Sequence, residues 1–200
     1  MEEEGALETC LADSQPDAVA YCAVPSQRSS EASHRLVSVE GIERVVNWLR
    51  ASARRTLLVY MSTNAVFSGL HGPYREADIP DPKARQDVYR AYAVSRCRGE
   101  EAALDGWSNA LVVRTATVNG RDVQGRPNER LAMPVERLLA GRSLPRFCDR
   151  YLSPTVVDNL ADALLEVMAP RFEYRGIPHL AGIQRVTDHE LLWSGAADRS

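Results

Sequence analysis

The feature that most constrains the fold of this chain is an alternation of short apolar runs with segments of helical periodicity. The apolar runs are DAVAYCA (Asp17–Ala23), TLLVYM (Thr56–Met61) and ALVVRT (Ala110–Thr115). Between them, His34–Ala53 repeats apolar residues at helical spacing, and Gln86–Leu104 is a second predicted helix. Apolar strands that alternate with helices are typical of βαβ units. The sequence therefore predicts an α/β fold with a parallel sheet flanked by helices.

Further helices are predicted in the C-terminal half of the chain. One covers Asn128–Ala140, and another opens the segment SPTVVDNLADALLEVM. In that segment Thr155 is the predicted N-cap, with Asp158 three residues later as in an acidic capping box. A chain of 200 residues is long enough to bury a core, so residues 1–200 are expected to form a single domain.

Composition and charge argue against several classes of function. The net charge of -3 gives no reason to expect nucleic acid or an anionic membrane as a partner. No apolar run approaches the roughly 18 residues of a membrane span, and the acidic start MEEEGALETC lacks signal-peptide features. A cytoplasmic location is therefore expected. The four cysteines are far apart and form no CxxC pair, so neither a metal site nor a disulfide framework is expected.

A candidate ligand site lies where the second and third predicted strands end. STNAVF follows the second strand, and RTATVNG follows the third. Between them, residues 62–85 form a long irregular stretch punctuated by glycine and proline, and loops of this length in compact domains are commonly functional. Because ligands of parallel sheets bind beyond the carboxyl ends of the strands, all three features predict a site at this edge.

The residues with the clearest chemical potential there are hydroxyls and one cation. Ser62 and Thr63 directly follow a buried strand, where a hydroxyl can bind a substrate carbonyl or can simply end the strand. Tyr92 and Arg96 lie on one helix face, either as a proton-transfer pair or as a surface tyrosine packed on an arginine stem. A nearby cation favours the phenolate, which lets a tyrosine exchange protons near neutral pH. His34 has polar neighbours and is predicted to lie on the surface.

A series of motifs, in order along the chain, resembles the extended short-chain dehydrogenases/reductases. Within them the chain is most similar to the dTDP-4-dehydrorhamnose reductase-like (RmlD-like) branch, which also includes the regulatory β subunit of methionine adenosyltransferase. The motifs that carry the resemblance are PDAVAYCA, YMSTNAVFSG, GPYREADIPDP, YAVSRCRGE, LVVRTATVNG, SPTVVDNLADAL and GIPHLAG. They cover most of the chain, which makes the resemblance specific.

The resemblance implies a Rossmann-like fold and the reduction of a keto group on a nucleotide sugar or a similar carbonyl, with NADPH or NADH. It implies that Thr63 orients the carbonyl and that Tyr92 donates the proton. Arg96 stands where the family has a lysine, so Arg96 and Tyr92 are the implied cofactor-binding residues. The implied substrate-binding positions are Asn64, Asn119 and Arg150.

The chain also departs from the family pattern. The family begins with a strand and a glycine-rich turn that holds the cofactor pyrophosphate, whereas this sequence starts near the family's fourth strand. We therefore expect a partial sheet with an exposed edge, self-association and weak NADPH binding. Arg96 replaces the lysine, and Ser38 replaces an asparagine of the family's proton relay. A non-redox regulatory or binding module, or an inactive fragment, remains an alternative to a reductase.

Overall fold

The computed structural model describes residues 5–26, 29–52, 54–122, 124–126, 129–145, 147–169 and 176–191. The helices are α1 (Ala6–Ser14), α2 (Glu31–Arg35), α3 (Gly41–Ala51), α4 (Arg90–Gly106), α5 (Glu129–Leu139) and α6 (Val157–Met168), with a π-helical turn at Leu36–Glu40 and 3₁₀ turns at Asn64–Val66 and Pro82–Ala84. The strands are β1 (Ala18–Tyr21), β2 (Leu57–Thr63), β3 (Ala110–Thr115), β4 (Val118–Asn119), β5 (Tyr151–Leu152), β6 (Thr155–Val156), β7 (His179–Leu180) and β8 (Val186–Thr187).

The chain divides into two compact units. The first comprises Met1–Arg114 with Pro170–His179, and the second comprises Thr115–Ala169 with Leu180–Ser200. The main sheet has the strand order β1-β2-β3-β7, and β1 pairs with β2 in parallel. Helices α2, α3 and α4 join these strands along the chain. The predicted α/β fold with a parallel sheet and flanking helices is therefore confirmed.

The core of the first unit forms because α3 presents one apolar stripe to the sheet. Its buried positions are spaced as i, i+3, i+4 and i+7: Ile42, Val45, Val46 and Leu49. They cluster with buried side chains of β2, β3 and α4, namely Leu58, Tyr60, Val112 and Ala103. Complete burial of a large aliphatic side chain contributes about 1.5–3 kcal/mol, so this stripe fixes α3 on the sheet.

The helix predicted from His34 onwards is interrupted by the π-helical turn Leu36–Glu40. Two tyrosines from the sheet donate hydrogen bonds to successive carbonyls of this turn. Tyr21 Oη donates to Val37 O at 2.6 Å, and Tyr60 Oη donates to Ser38 O at 3.0 Å. Burial raises the pKa of both phenols, so they remain protonated donors. The turn is thus held by side chains from β1 and β2.

In the second unit, β4 pairs with β6 in parallel and β5 pairs with β8 antiparallel. The predicted helix cap at Thr155 is wrong. Helix α6 begins at Val157, and its N-cap is Val156 without a side-chain hydrogen bond. Thr155 instead belongs to β6, where its N–H donates to Thr117 O at 2.9 Å. Strand pairing with β4 fixes this backbone, so the side chain of Thr155 cannot cap the helix.

Two further findings concern the helices and the metal-ligating side chains of the described residues. Within the part of the chain that the structure describes, no helix combines the length and the apolarity needed to cross a bilayer. Across the same ranges, no three histidine, cysteine, aspartate or glutamate side chains lie close enough together to hold a metal ion.

Candidate active site

Thr63, the last residue of β2, is 8% exposed at the carboxyl end of the strand. Its Oγ1 accepts a hydrogen bond from Ala65 N–H at 3.1 Å, which caps the following 3₁₀ turn. The hydroxyl donates to Asn64 Oδ1 at 3.5 Å, the long limit of a hydrogen bond. Because this second contact is weak, the Thr63 hydroxyl can donate a hydrogen bond to another acceptor instead.

The neighbouring hydroxyl, that of Ser62, is committed inside the protein. Ser62 Oγ donates to Glu100 Oε1, and the same carboxylate accepts two bonds from Arg114, at 3.0 Å from Nε and 2.7 Å from Nη2. Both members of this ion pair are buried. Glu100 lies on α4, so the network ties α4 to the residue directly before Thr63. Of the two candidate hydroxyls, that of Ser62 donates to a buried carboxylate, and that of Thr63 makes only a long hydrogen bond as a donor.

Tyr92 and Arg96 are buried one turn apart on α4, at 7% and 2% exposure. The alternative of a surface tyrosine on an arginine stem is therefore wrong. The Arg96 guanidinium carbon lies 4.4 Å from the centroid of the Tyr60 ring. Its Nη1 donates to Ala23 O at 3.1 Å and to Ser38 Oγ at 3.5 Å. Its Nε is buried and has no hydrogen-bond partner among the described residues.

His34 is not on the surface, contrary to the prediction, because α2 turns it against α4. It is 1% exposed, and its ring centroid lies 5.7 Å from that of Tyr92 with a tilt of 59°. Ser30 fixes the start of α2, since its Oγ accepts a hydrogen bond from Ser33 N–H at 3.2 Å. The polar sequence around His34 concealed this packing, which depends on α4, far along the chain.

The predicted substrate-binding residues lie in both units. Asn64, in the first unit, is exposed directly after β2. Asn119 and Arg150 belong to the second unit. Asn119 is buried, its Nδ2 donates to Thr117 O at 3.2 Å, and its Oδ1 has no partner within the described ranges. Arg150 is half exposed and pairs with Asp188 at 3.4 Å.

Two residues of the site were not predicted from the sequence, Glu100 and Arg114. Glu100 continues the four-residue spacing of Tyr92 and Arg96, so it falls on the same face of α4. Arg114 is the charged residue of the apolar run ALVVRT, and a charge in a buried strand requires a buried partner. These two signals together could have identified the ion pair.

Beside Arg114, a cluster of aromatic side chains connects the segment after β2 to β7. The Arg114 guanidinium carbon lies 5.1 Å from the centroid of the Phe67 ring, and Phe67 stacks on Tyr74 at 4.3 Å. The His179 ring contacts the edge of Phe67, with 5.9 Å between the ring centroids. The backbone N–H of His179 donates to Glu76 Oε1 at 2.8 Å. Burial, together with the nearby Arg114 charge, lowers the pKa of His179.

Comparison with known proteins supports the motif resemblance. Residues 1–193 match the family described as the RmlD substrate binding domain. The Streptomyces antibioticus protein named probable dTDP-4,6-dihydroxy-2-methyloxan-3-one 4-ketoreductase is 32% identical over 167 residues, covering 81% of this chain and 53% of that protein. Methionine adenosyltransferase 2 subunit beta of Xenopus laevis is 24% identical over 200 residues, covering 94% of this chain and 56% of that protein.

A solved structure shows the same fold. The dTDP-4-dehydrorhamnose reductase from Bacillus anthracis, crystallised with NADP, superimposes with a TM-score of 0.76 at 20% identity, covering 96% of this chain and 66% of that one. The chain spans about half the length of the curated relatives it matches. From the family match over most of its length, we conclude that the chain belongs to the RmlD substrate binding domain family, in the RmlD-like branch of the extended short-chain dehydrogenases/reductases.

Proposed function

We propose that this chain binds and protonates the carbonyl in an NAD(P)H-dependent reduction of a keto group on a nucleotide sugar. The observation that carries the proposal is a weakly engaged Thr63 hydroxyl at the end of β2, together with a Tyr92 that is buried on α4. Both are held by one network, because Glu100 on the helix of Tyr92 bonds the residue next to Thr63. The Streptomyces antibioticus relative is named as a ketoreductase of a dTDP-linked compound, which supports this substrate class.

In the proposed reaction, Thr63 Oγ1 donates a hydrogen bond to the carbonyl oxygen and orients it. Tyr92 then gives its proton to that oxygen: the phenol O–H bond breaks as the alcohol O–H bond forms. A bound nicotinamide dinucleotide would supply the hydride.

One side chain of the site, Arg96, fits the ribose of such a cofactor. Arg96 Nε is a buried donor without a partner among the described residues, and a ribose hydroxyl oxygen would satisfy it. Arg96 Nη1 already donates a hydrogen bond to Ala23 O, so the orientation of the guanidinium is fixed before a ligand binds. Arg96 would hold the ribose together with Tyr92, from the same face of α4.

The proposed substrate contacts use the remaining polar positions. Arg150 is half exposed, and a guanidinium matches the geometry of a diphosphate. Asn119 Oδ1 is an acceptor without a partner among the described residues, and it is suited to a sugar hydroxyl. Asn64 follows Thr63 directly and lies exposed, where it can contact the group beside the carbonyl.

The test is turnover of a dTDP-linked 4-keto sugar at saturating NADPH, which is needed because weak cofactor binding is expected. Tyr92→Phe should lower kcat by roughly 10²–10⁴-fold, the usual size of a general acid contribution, without unfolding the chain. Tyr89→Phe, three residues earlier, is the matched control and should keep wild-type turnover. Unchanged turnover in Tyr92→Phe would exclude Tyr92 as the proton donor.

A second candidate is a non-redox binding module. It is favoured by the internal engagement of Arg96, which bonds Ala23 O and stacks on Tyr60, and by the similarity to a methionine adenosyltransferase subunit. The same assay separates the two candidates. A wild-type chain that binds the sugar nucleotide or a methionine adenosyltransferase, yet consumes no NADPH at any concentration, would establish the module and exclude the reductase.

A further inference from the structure

His34 is a buried imidazole whose polarity is not explained by the fold. It is 1% exposed, and its Nδ1 has no hydrogen-bond partner among the described residues. An unsatisfied buried polar group destabilises the folded state, whereas a phenylalanine would fill the same space without that penalty. A buried nitrogen kept at this expense calls for a functional explanation.

The surroundings of His34 connect it to the candidate active site. Its ring faces Tyr92 at a centroid distance of 5.7 Å, within the range of direct aromatic contact. One turn later, Ser38 Oγ accepts a hydrogen bond from Arg96 Nη1 at 3.5 Å. Two residue pairs with four-residue spacing therefore face each other, His34 against Tyr92 and Ser38 against Arg96.

This register is built by close packing and is not incidental. A Cβ atom at Gly99 on α4 would lie 2.0 Å from Tyr60 Oη and 2.3 Å from Ser38 O, so only glycine allows α4 to approach this closely. The carbonyl of Ser38 belongs to the π-helical turn Leu36–Glu40, and such turns occur frequently at functional sites. The turn therefore places Ser38 against Arg96, and α2, which directly precedes it, places His34 against Tyr92.

We propose that His34 is the residue that returns a proton to Tyr92 after each turnover. The proposal rests on the proposed function, in which Tyr92 gives its proton to the carbonyl oxygen and becomes a phenolate. The phenolate takes a proton from an N–H of the His34 imidazolium, directly or through one water. The imidazole then takes a proton from a solvent acid, and both groups are restored. Imidazole suits this role because one ring nitrogen can take up a proton while the other releases one.

The experiment measures proton exchange at Tyr92 without requiring turnover. The chain is labelled with ζ-¹³C tyrosine and observed by NMR in an equal mixture of H₂O and D₂O, where slow hydroxyl exchange splits each signal and fast exchange merges it. Tyr92→Phe identifies the Tyr92 signal. In His34→Phe, which keeps the ring and removes the nitrogens, exchange at Tyr92 should slow by roughly 10²-fold, the size of a general acid–base effect.

The controls distinguish the effect of the His34 ring nitrogens from the effect of the packing of its ring. The Tyr60 signal should be the same in both chains, and His71→Phe on an exposed loop should leave Tyr92 exchange at the wild-type rate. If His34→Phe does not fold, His34→Gln supplies the same test with a polar side chain that does not titrate. Equal Tyr92 exchange in wild type and a folded His34 variant would overturn the proposal and leave His34 as a packing residue.

A kinetic measurement then separates this proposal from the proposed function. Where the wild type reduces the keto sugar, His34→Phe should lower kcat and leave KM unchanged, with a larger solvent deuterium isotope effect on kcat. Absence of wild-type turnover would refute the reductase proposal, while the exchange measurement would still decide whether His34 serves Tyr92. Retained kcat in His34→Phe would contradict the proton-return role.

Discussion

Two ion pairs, one from each unit of the molecule, hold their arginine side chains in opposite environments. In the first unit, Glu100 and Arg114 are 4% and 3% exposed at the side chain, and Ser62 adds a further hydrogen bond to the carboxylate. In the second unit, the pair formed by Arg150 and Asp188 is longer, at 3.4 Å, and the arginine side chain is 53% exposed. The first pair is a fixed part of the interior, and the second is a solvated contact that can exchange partners.

The contrast between these two pairs separates a fixed interior contact from one that can change partners. A buried charge cannot leave its partner without a large desolvation cost, so the network of Glu100 fixes the elements that carry Thr63 and Tyr92. An exposed pair contributes little and can be replaced by a ligand phosphate at small cost. The buried network therefore fixes the elements of the first unit that carry the proposed proton chemistry, whereas the Arg150–Asp188 pair of the second unit can exchange partners.

Removal of one charge from each ion pair should show the largest difference in stability between the two units. Glu100→Gln leaves Arg114 as an uncompensated buried cation and should lower the free energy of unfolding by about 3–5 kcal/mol. The matched change in the second unit, Asp188→Asn, should cost at most about 1 kcal/mol. Denaturant titration followed by circular dichroism measures both. Equal costs would contradict the assignment of a fixed interior pair.

A tyrosine hydroxyl provides a second, smaller comparison. Tyr60→Phe leaves the buried Ser38 carbonyl without its 3.0 Å donor and should cost about 1–3 kcal/mol. Tyr151→Phe, on the exposed β5 of the second unit, should change the free energy of unfolding by less than about 0.5 kcal/mol. Thermal unfolding of the two variants tests this, and a stable Tyr60→Phe would show that the π-helical turn does not need the hydroxyl.

The pH dependence of stability should carry a contribution from His179. Burial lowers its pKa in the folded state, so the unfolded chain binds a proton more readily. Stability from this group is therefore present above about pH 6.5 and is lost as the pH falls through the folded value. In His179→Asn the decline below pH 6.5 should be shallower, whereas exposed His71→Asn should keep the wild-type slope. Denaturant midpoints of both variants and the wild type at a series of pH values measure these slopes, and equal slopes in all three chains would contradict a contribution from His179.

The smallest predicted effect concerns the edge of the sheet. β1 is the end strand of the described sheet, and unpaired strand edges promote self-association. Because Leu57 N–H bonds Asp17 O, the alternation of a parallel ladder directs the Ala20 N–H away from β2. Ala20→Pro should therefore reduce concentration-dependent association in analytical ultracentrifugation and preserve the fold. A wild-type chain that stays monomeric at all concentrations would refute edge-mediated association.

Local periodicity was sufficient to predict the elements that carry the proposed chemistry. The apolar run Thr56–Met61 forms most of β2, which extends two residues beyond the predicted end to Thr63, and the four-residue spacing of Tyr92 and Arg96 falls on α4. These features depend on residues close together in sequence. For the same reason, the position of the candidate site at a strand end could be predicted before any coordinates were known.

Features that depend on distant partners could not be predicted. The burial of His34 requires α4, and the direction of the Arg96 guanidinium is set by Tyr60 and by the Ala23 carbonyl. The cap at Thr155 failed because pairing with β4 outweighs a local side-chain preference. In each case a contact between residues far apart in sequence overrides the local pattern.

The most direct measurement is a double-mutant cycle in kcat/KM for reduction of a dTDP-linked 4-keto sugar, with Thr63→Val, Tyr92→Phe and the combined variant. If both hydroxyls act on one carbonyl oxygen, their effects should not add, and the combined variant should be little worse than Tyr92→Phe alone. Thr63→Ser, which keeps the hydroxyl, should retain most of the wild-type value. Additive losses, or no loss in either single variant, would contradict a shared carbonyl site for Thr63 and Tyr92.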